Sequence, residues 1–371
     1  MSDATADATA PPQLRRSEPP EAAPLDAGHL RRRILVLVLI GVVVVAVITL
    51  VPGLASLRSR FAHASWEWLL VGVGLKILSG LCYVAVFRSV FCTTMSWRLS
   101  TEIGLAELGA NAVIPTGGAG GLALGAWALR RTGMDTKRIA RRSVAFFFLT
   151  SVPNVLGVII LGFGLWLGVF EGRAGIALSL VPALIAAAAI VITIGCGRWA
   201  GTAAERMAER RGPDAKLPKV LAAVGGGVEE SLSFLRHPTA WLVFGLIGYL
   251  AFDVMVLWAT FHAFGASPTL AIIWIGYLIG ELGGLIPVPG GIGGVDLGLV
   301  GALVLYHVPV GAATAAVLGY RAIALWVPAV IGAGAFVLLR RTLNREAVAI
   351  SSCEPGGEVE VIGRGRVKVT A

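Results

Sequence analysis

Residues 281–298 read ELGGLIPVPGGIGGVDLG, and residues 107–125 repeat the same order of residues as ELGANAVIPTGGAGGLALG. Each stretch begins with Glu-Leu-Gly, continues through a short apolar piece to a proline, and ends with two pairs of glycines. Proline and clustered glycines interrupt helices, because proline lacks an amide donor and glycine loses much conformational freedom on folding. Each stretch therefore predicts a helix, a break and a second helix.

Both stretches lie in a strongly apolar chain. Hydrophobic residues make up 56% of the 371 residues, charged residues make up 14%, and the mean hydropathy is +0.80. A soluble domain carries about a quarter charged residues, so we expect lipid rather than water around most of this chain. The net charge of +9 lies in short runs between apolar stretches. This pattern is typical of the cytoplasmic loops of membrane proteins and argues against nucleic-acid binding.

Six apolar runs reach the roughly 20 helical residues that a bilayer requires. They are residues 34–53, 66–90, 143–169, 175–196, 239–264 and 311–339. The arms of the two broken stretches, about 102–129 and 270–307, are too short for this, so each stretch is predicted to enter and leave the membrane on one side. The predicted fold class is an all-α polytopic membrane protein with six full spans plus two re-entrant, Gly/Pro-broken hairpins.

The basic loops predict the orientation of the spans. Arg31–Arg33, the run from Arg130 to Arg142, and the arginines after residue 339 all fall on one side of this arrangement. Since such loops stay in the cytoplasm, we expect a multi-pass protein of the cell (inner) membrane with both termini cytoplasmic.

The same reasoning predicts the domain organisation. A disordered cytoplasmic tail at 1–30 precedes a membrane domain at 31–345, and a cytoplasmic tail at 346–371 follows it. The connection 197–238 has leucines and valines at helical spacing, which predicts an amphipathic helix on the inner leaflet.

The two halves of the membrane domain, about 66–169 and 239–339, have the same order of segments. Each has a span, a broken hairpin and a span that contains a proline, Pro153 or Pro328. Because the basic loops give the halves opposite orientations, the sequence predicts an inverted repeat. Many secondary transporters have this architecture, and their ligand sites lie near the bilayer midplane.

Charged groups within apolar segments are the first candidates for a binding site, since an ionisable group in lipid is costly unless it is paired or hydrated. The glycine turns add backbone N–H groups, which suit an anionic head group. The predicted substrate-binding residues are Glu107, Pro115, Gly117, Gly118, Glu281, Pro289, Gly290, Gly291, Asp296 and Arg321.

These features also have structural interpretations. Glycine can simply let two helices approach closely, and the glutamates can bond to backbone amides beside the turns. Lys76 and Asp253 lie in the spans that precede the two hairpins and have opposite charges, so we predict an ion pair of structural or functional use. The four cysteines lack metal-ligand spacing, and no metal, cofactor or catalytic residue is predicted.

The broken stretches, with LGANAVIPTGGAGGLALGAWALRR at 108–131 and GYRAIALWVPAVIGA at 319–333, resemble the lysylphosphatidylglycerol-synthase transmembrane-region family. The resemblance covers about residues 34–340. It implies flipping of lipids across the inner membrane. It also implies a stand-alone member, because the residues after 345 leave no room for the aminoacyltransferase domain of the best-known relatives.

The residues and the resemblance together favour flippase-like translocation of an anionic, aminoacylated or polyprenyl-phosphate-linked lipid by a protein that is not an enzyme. The expected partners are membrane lipids, without nucleic acid. The alternative is an accessory membrane subunit of a glycosyltransferase or another lipid-modifying, cell-envelope enzyme. An integral-membrane lipid-phosphate enzyme is disfavoured, because the sequence has no His-containing phosphatase signature and no Asp-rich metal motif.

Overall fold

The structure is a computed structural model that describes residues 55–113, 119–169, 175–211, 215–281, 294–345, 359–362 and 366–369. The helices in these ranges are α1 (Ala55–Ala62), α2 (Trp66–Phe91), α3 (Trp97–Val113), α4 (Ala119–Arg131), α5 (Thr136–Trp166), α6 (Ile176–Arg211), α7 (Lys216–Arg236), α8 (Ala240–Ala263), α9 (Leu270–Glu281), α10 (Gly294–Leu305) and α11 (Val310–Arg345). All regular secondary structure in the described residues of the membrane region is helical.

Two short strands follow the helices. β1 (Val359–Ile362) and β2 (Arg366–Val369) pair in antiparallel register. Valines alternate with charged residues in both segments, a pattern that favours strands. The predicted all-α class therefore applies to the membrane region, and the C-terminal tail departs from it.

Five helices are long and apolar enough to cross a membrane: α2, α5, most of α6, α8 and most of α11. They match five of the six predicted spans, and the sixth, 34–53, lies outside the described residues. α6 and α11 continue to Arg211 and Arg345, beyond the predicted ends at 196 and 339. Both added segments are rich in Arg, and the first is also rich in Ala and Glu; these residues are strong helix formers. The chain is therefore a multi-pass membrane protein.

The first broken stretch forms two helices, α3 and α4, which we call hairpin 1. Gly125 on α4 lies beside Glu107 on α3, and Gly121 lies beside Asn111. Because the residue numbers fall on one helix as they rise on the other, the two arms are antiparallel. The amide of Gly121 donates to Asn111 Oδ1 at 2.8 Å and joins the arms near the break.

The second broken stretch forms α9 and α10, which we call hairpin 2. Gly276 on α9 faces Leu303 on α10, and Gly280 faces Leu299, so these arms are antiparallel as well. The glycines of α9 give the side chains of α10 room to approach. Each predicted interruption therefore separates two neighbouring helices.

Each hairpin packs against the proline-containing helix of the other half. α3 crosses α11 so closely that a Cβ on Gly332 would lie 2.5 Å from the Cα of Gly109. α9 packs against α5, where a Cβ on Gly157 would lie 2.8 Å from Cδ1 of Leu278. Gly157 follows Pro153 by four residues, as Gly332 follows its own helix's proline. The two crossings thus use equivalent positions of α5 and α11.

At one end of the bundle, two arginines of α5 join it to neighbouring helices. The Arg142 guanidinium donates to the carbonyl of Phe91 at the end of α2. Arg141 and Arg142 also lie 2.9 and 3.1 Å from the carboxylate oxygens of Glu230 on α7. These contacts hold α7, which lies within the predicted connection 197–238, against the start of α5.

The opposite end is closed by contacts of a different kind. Arg60 on α1 donates to the carbonyl of Phe264, just after α8, at 3.0 Å. The hydroxyl of Tyr306, which follows α10, donates to the carbonyl of Leu178 near the start of α6 at 2.5 Å. Hairpin 2 therefore ends here, whereas α4 of hairpin 1 leads directly into the arginines of α5.

The apolar core is divided along α2. Its later part, from Tyr83 onward, joins a cluster with Ile103 and Leu149. Its earlier part, up to Leu75, packs against a second cluster that includes Phe261. Between these parts of α2, residues 76, 77 and 79–81 line a cavity.

Candidate functional site

The space between the two clusters is a cavity of about 410 Å³. It is lined by α2, α3, α8, α9 and α11, so both halves of the chain contribute to it. Four predicted residues lie in its wall: Lys76, Asp253, Glu281 and Arg321. The fold thus brings Lys76 next to three residues that follow it by 177 or more positions in the sequence.

Asp253 on α8 is held by three donors. Lys76 on α2 donates to its Oδ1 and forms an ion pair with it. The hydroxyls of Tyr277 on α9 and Tyr320 on α11 donate to its Oδ2 at 2.6 and 2.9 Å. A buried carboxylate is tolerated when it is paired and hydrogen-bonded. The network therefore stabilises Asp253 and connects four helices at the wall of the cavity.

A second ion pair joins α11 to hairpin 2. Nε of Arg321 on α11 lies 3.3 Å from Oδ1 of Asp296 on α10. Because Arg321 also lines the cavity, the pair connects the cavity wall to the second arm of hairpin 2. Guanidinium groups have several N–H donors and suit phosphate as well as carboxylate.

The glutamates that begin the two broken stretches have different surroundings. Glu281, the last residue of α9, lines the cavity and is exposed to it. Glu107 on α3 is only 2% exposed. A Cβ on Gly125 of α4 would lie 3.0 Å from Oε2 of Glu107, so the second arm of hairpin 1 covers this carboxyl group. One glutamate is thus open to the cavity and the other is sealed.

The remaining predicted residues fall within the two breaks. They lie outside the described residues and stay predictions: Pro115, Gly117, Gly118, Pro289, Gly290 and Gly291. Among the residues that the structure does describe, no group of three or more His, Cys, Asp or Glu side chains could hold a metal ion.

The tyrosines of the site are not among the residues predicted from the sequence. Tyr277 and Tyr320 donate to Asp253, and Tyr249 and Asn111 also line the cavity. A buried tyrosine hydroxyl needs a partner. Tyrosines at the middle of apolar helices were therefore a usable signal, although the sequence alone does not say which carboxylate they bond.

Comparisons with known proteins concern the whole membrane region. Neither the curated proteins nor the solved structures gave a significant match. The family model described as "Lysylphosphatidylglycerol synthase TM region" matches residues 38–332, well over half of the chain. The matched range includes all the helices that line the cavity except the end of α11. The chain therefore belongs to the lysylphosphatidylglycerol synthase transmembrane-region family.

Proposed function

We propose that this protein moves lipids across the inner membrane, with the polar head group passing through the cavity while the acyl chains stay in the bilayer. The observation that carries the proposal is the cavity itself. It lies between the two halves of a membrane domain and holds both Lys76 and Arg321. Such charges are costly in a membrane interior and commonly mark the route of a polar substrate.

The cavity adjoins the outer surface of α2. Ile77 and Leu81 line it, and both are also among the exposed large apolar residues, at 40% and 47% of their surface. Apolar side chains that are exposed on a membrane helix face lipid. A head group inside the cavity could therefore remain attached to acyl chains outside it.

The hairpins support a route with access from two sides. α9 and α10 have 12 residues each, or about 18 Å of helix, which is less than the ~30 Å hydrocarbon layer. We infer that both hairpins are re-entrant and that they enter from opposite sides. The equivalent crossings at Gly157 and Gly332 support an inverted repeat, in which exchange of the two halves' conformations opens the site to the other leaflet.

The sidedness follows from charge. Arg141 and Arg142 lie at the same end of the bundle as α7. By the positive-inside rule, this end faces the cytoplasm and both termini are cytoplasmic.

The charged groups in and beside the cavity wall suit a lipid that carries a phosphate. Arg321 and Lys76 are the groups that a phosphate would contact, and Glu281 and Asp296 would contact a cationic moiety. Anionic, aminoacylated and polyprenyl-phosphate-linked lipids all meet this description. None of these residues needs to make or break a covalent bond.

Reconstitution tests the proposal. The purified protein is inserted into liposomes that contain a trace of a lipid with a fluorescent acyl chain, and a membrane-impermeant reductant quenches the label in the outer leaflet. We expect faster loss of the protected inner-leaflet signal than in protein-free liposomes for at least one of the three lipid classes. Equal rates with and without protein for all three classes would contradict lipid translocation.

A further inference from the structure

The charges around the cavity do not balance. Lys76 is paired with Asp253, and Arg321 is paired with Asp296. Glu281 is a third acid, and it lines the cavity together with Asp253. In the part of the chain that the structure describes, its carboxylate has no hydrogen-bond donor and no ion-pair partner. The site therefore has one more acid than it has bases.

The charged groups and tyrosines around Glu281 come from five helices. They are Lys76 on α2, Tyr249 and Asp253 on α8, Tyr277 on α9, Asp296 on α10, and Tyr320 and Arg321 on α11. Two cations stand against two other carboxylates, so the surroundings supply no net positive charge to hold Glu281 ionised. An uncompensated carboxylate within a membrane is costly, and it lowers that cost by binding a proton or another cation.

Glu107 has the corresponding position in the first broken stretch, but its surroundings differ from those of Glu281. It is buried beneath α4, and within the described part of the chain its Oε2 atom has no hydrogen-bond partner. A sealed carboxyl group of this kind is tolerated much better as the neutral acid than as the anion. Glu281 faces the cavity, where water can deliver or remove a proton. The two glutamates thus represent an open and a sealed form of equivalent groups.

We propose that Glu281 is a proton-binding site and that movement of lipid by this protein is coupled to the proton gradient. The inference rests on the lipid translocation proposed above. In the step, the Glu281 carboxylate takes one proton from cavity water and becomes a neutral acid, and it returns that proton to water when the cavity opens to the other side. A neutral carboxylic acid is buried at a lower cost than a carboxylate. Proton binding therefore favours a rearrangement of hairpin 2 that buries the Glu281 side chain.

The first measurement concerns lipid movement. Liposomes carrying the protein and a responsive lipid are assayed with and without an imposed pH gradient. We expect the gradient to change the rate in the wild-type protein, and Glu281→Gln to lose this response, so that its rates with and without the gradient become equal. Glu67→Gln is the matched control, because Glu67 is exposed at the start of α2, and it should keep the response.

The second measurement does not depend on lipid transport. Infrared difference spectra of the purified protein across a pH titration should contain the C=O band of a protonated carboxylic acid. We expect Glu281→Gln to lose part of this band and Glu67→Gln to retain it. Correct folding of both variants is checked by their thermal unfolding.

The outcomes separate the two proposals. If the wild-type protein moves lipid at a rate that does not respond to the gradient, the proton coupling is wrong and lipid translocation stands. An unchanged infrared band or an unchanged gradient response in Glu281→Gln also overturns the assignment. If no lipid moves at all, translocation fails and the coupling fails with it.

Discussion

Gly109 and Gly332 touch backbone to backbone where α3 of hairpin 1 crosses α11. A Cβ on Gly109 would lie 2.7 Å from the Cα of Gly332, and one on Gly332 would lie 2.5 Å from the Cα of Gly109. Both distances are shorter than any ordinary carbon contact. The crossing therefore joins the two halves of the chain at a distance that only a pair of glycines permits.

We predict that Gly332→Ala destabilises the protein by about 1–3 kcal/mol, because overpacking against the backbone forces the helices apart. The neighbours are the Cα of Gly109 and the carbonyl oxygen of Leu105, and neither can move away as a flexible side chain would. Gly334→Ala is the control on the same helix, since a Cβ there would meet nothing within 4 Å. Thermal unfolding in detergent, followed by circular dichroism, measures both, and equal melting temperatures for the two variants would show that the crossing is not tight.

The pairing of Lys76 with Asp253 leads to a second prediction. Asp253→Asn leaves the ammonium group without its anion, and Lys76→Met leaves the carboxylate without its cation. Loss of one partner of a buried pair costs about 3–5 kcal/mol. We expect each single variant to be destabilised and the double variant to be less destabilised than the sum of the two. Additive losses in thermal or denaturant unfolding would mean that the two charges do not interact.

The tyrosines around Asp253 give a third prediction. Tyr277→Phe and Tyr320→Phe each remove one donor, at 2.6 and 2.9 Å from Oδ2, while keeping the ring. We expect each to cost about 1–3 kcal/mol, as is usual when a buried acceptor loses a partner. Tyr249→Phe, on the same wall but outside this network, should change the free energy of unfolding least. A larger loss for Tyr249→Phe than for the other two would contradict the network.

The breaks and most of the spans could be predicted from the sequence, because their signals are local. Length and hydropathy are enough to place a helix such as α8, and proline with paired glycines is enough to separate α9 from α10. Lys76 and Asp253 were candidates because a charged side chain within an apolar run is costly unless it is paired or hydrated.

The contacts between distant segments could not be predicted in the same way. Nothing local pairs Gly109 with Gly332, or assigns Tyr320 to Asp253, since these partners are set by how the helices cross. The difference in burial between Glu107 and Glu281 also could not be predicted from the sequence. Their motifs are alike, and only the packing of α4 over Glu107 makes one of them inaccessible.

At the basic end of the bundle, the ion pairs of Glu230 give a fourth prediction, which concerns how firmly α7 is held against α5. Glu230→Gln removes the anion from Arg141 and Arg142, which lie 2.9 and 3.1 Å away. We expect a loss of about 1–3 kcal/mol, because Arg142 is largely buried and keeps its charge. Its neighbour Glu229 is exposed, so Glu229→Gln is the control. Limited proteolysis of the segment between α6 and α7 provides the readout, and equal cleavage rates in the two variants would show that the ion pairs do not hold α7.

Arg321 gives the last prediction, which concerns transport. If its guanidinium contacts the lipid phosphate in the cavity, Arg321→Ala removes a charged hydrogen bond of about 1.5–3 kcal/mol, which corresponds to a rate reduced roughly 10- to 100-fold. Arg321→Lys keeps the charge without the planar donors and should fall between Arg321→Ala and the wild type. Arg340→Ala, which removes an exposed arginine farther along the same helix, is the matched control and should transport normally.

The rates are measured in liposomes and divided by the amount of correctly inserted protein, so that a folding defect is not read as a transport defect. The Asp296 partner supplies a further test, because Asp296→Asn leaves Arg321 in place while removing its carboxylate at 3.3 Å. We expect this variant to continue to transport an anionic lipid. If Arg321→Ala moves lipid as fast as Arg340→Ala, the head group does not bind at this arginine, and the wall near Lys76 becomes the place to look for its phosphate.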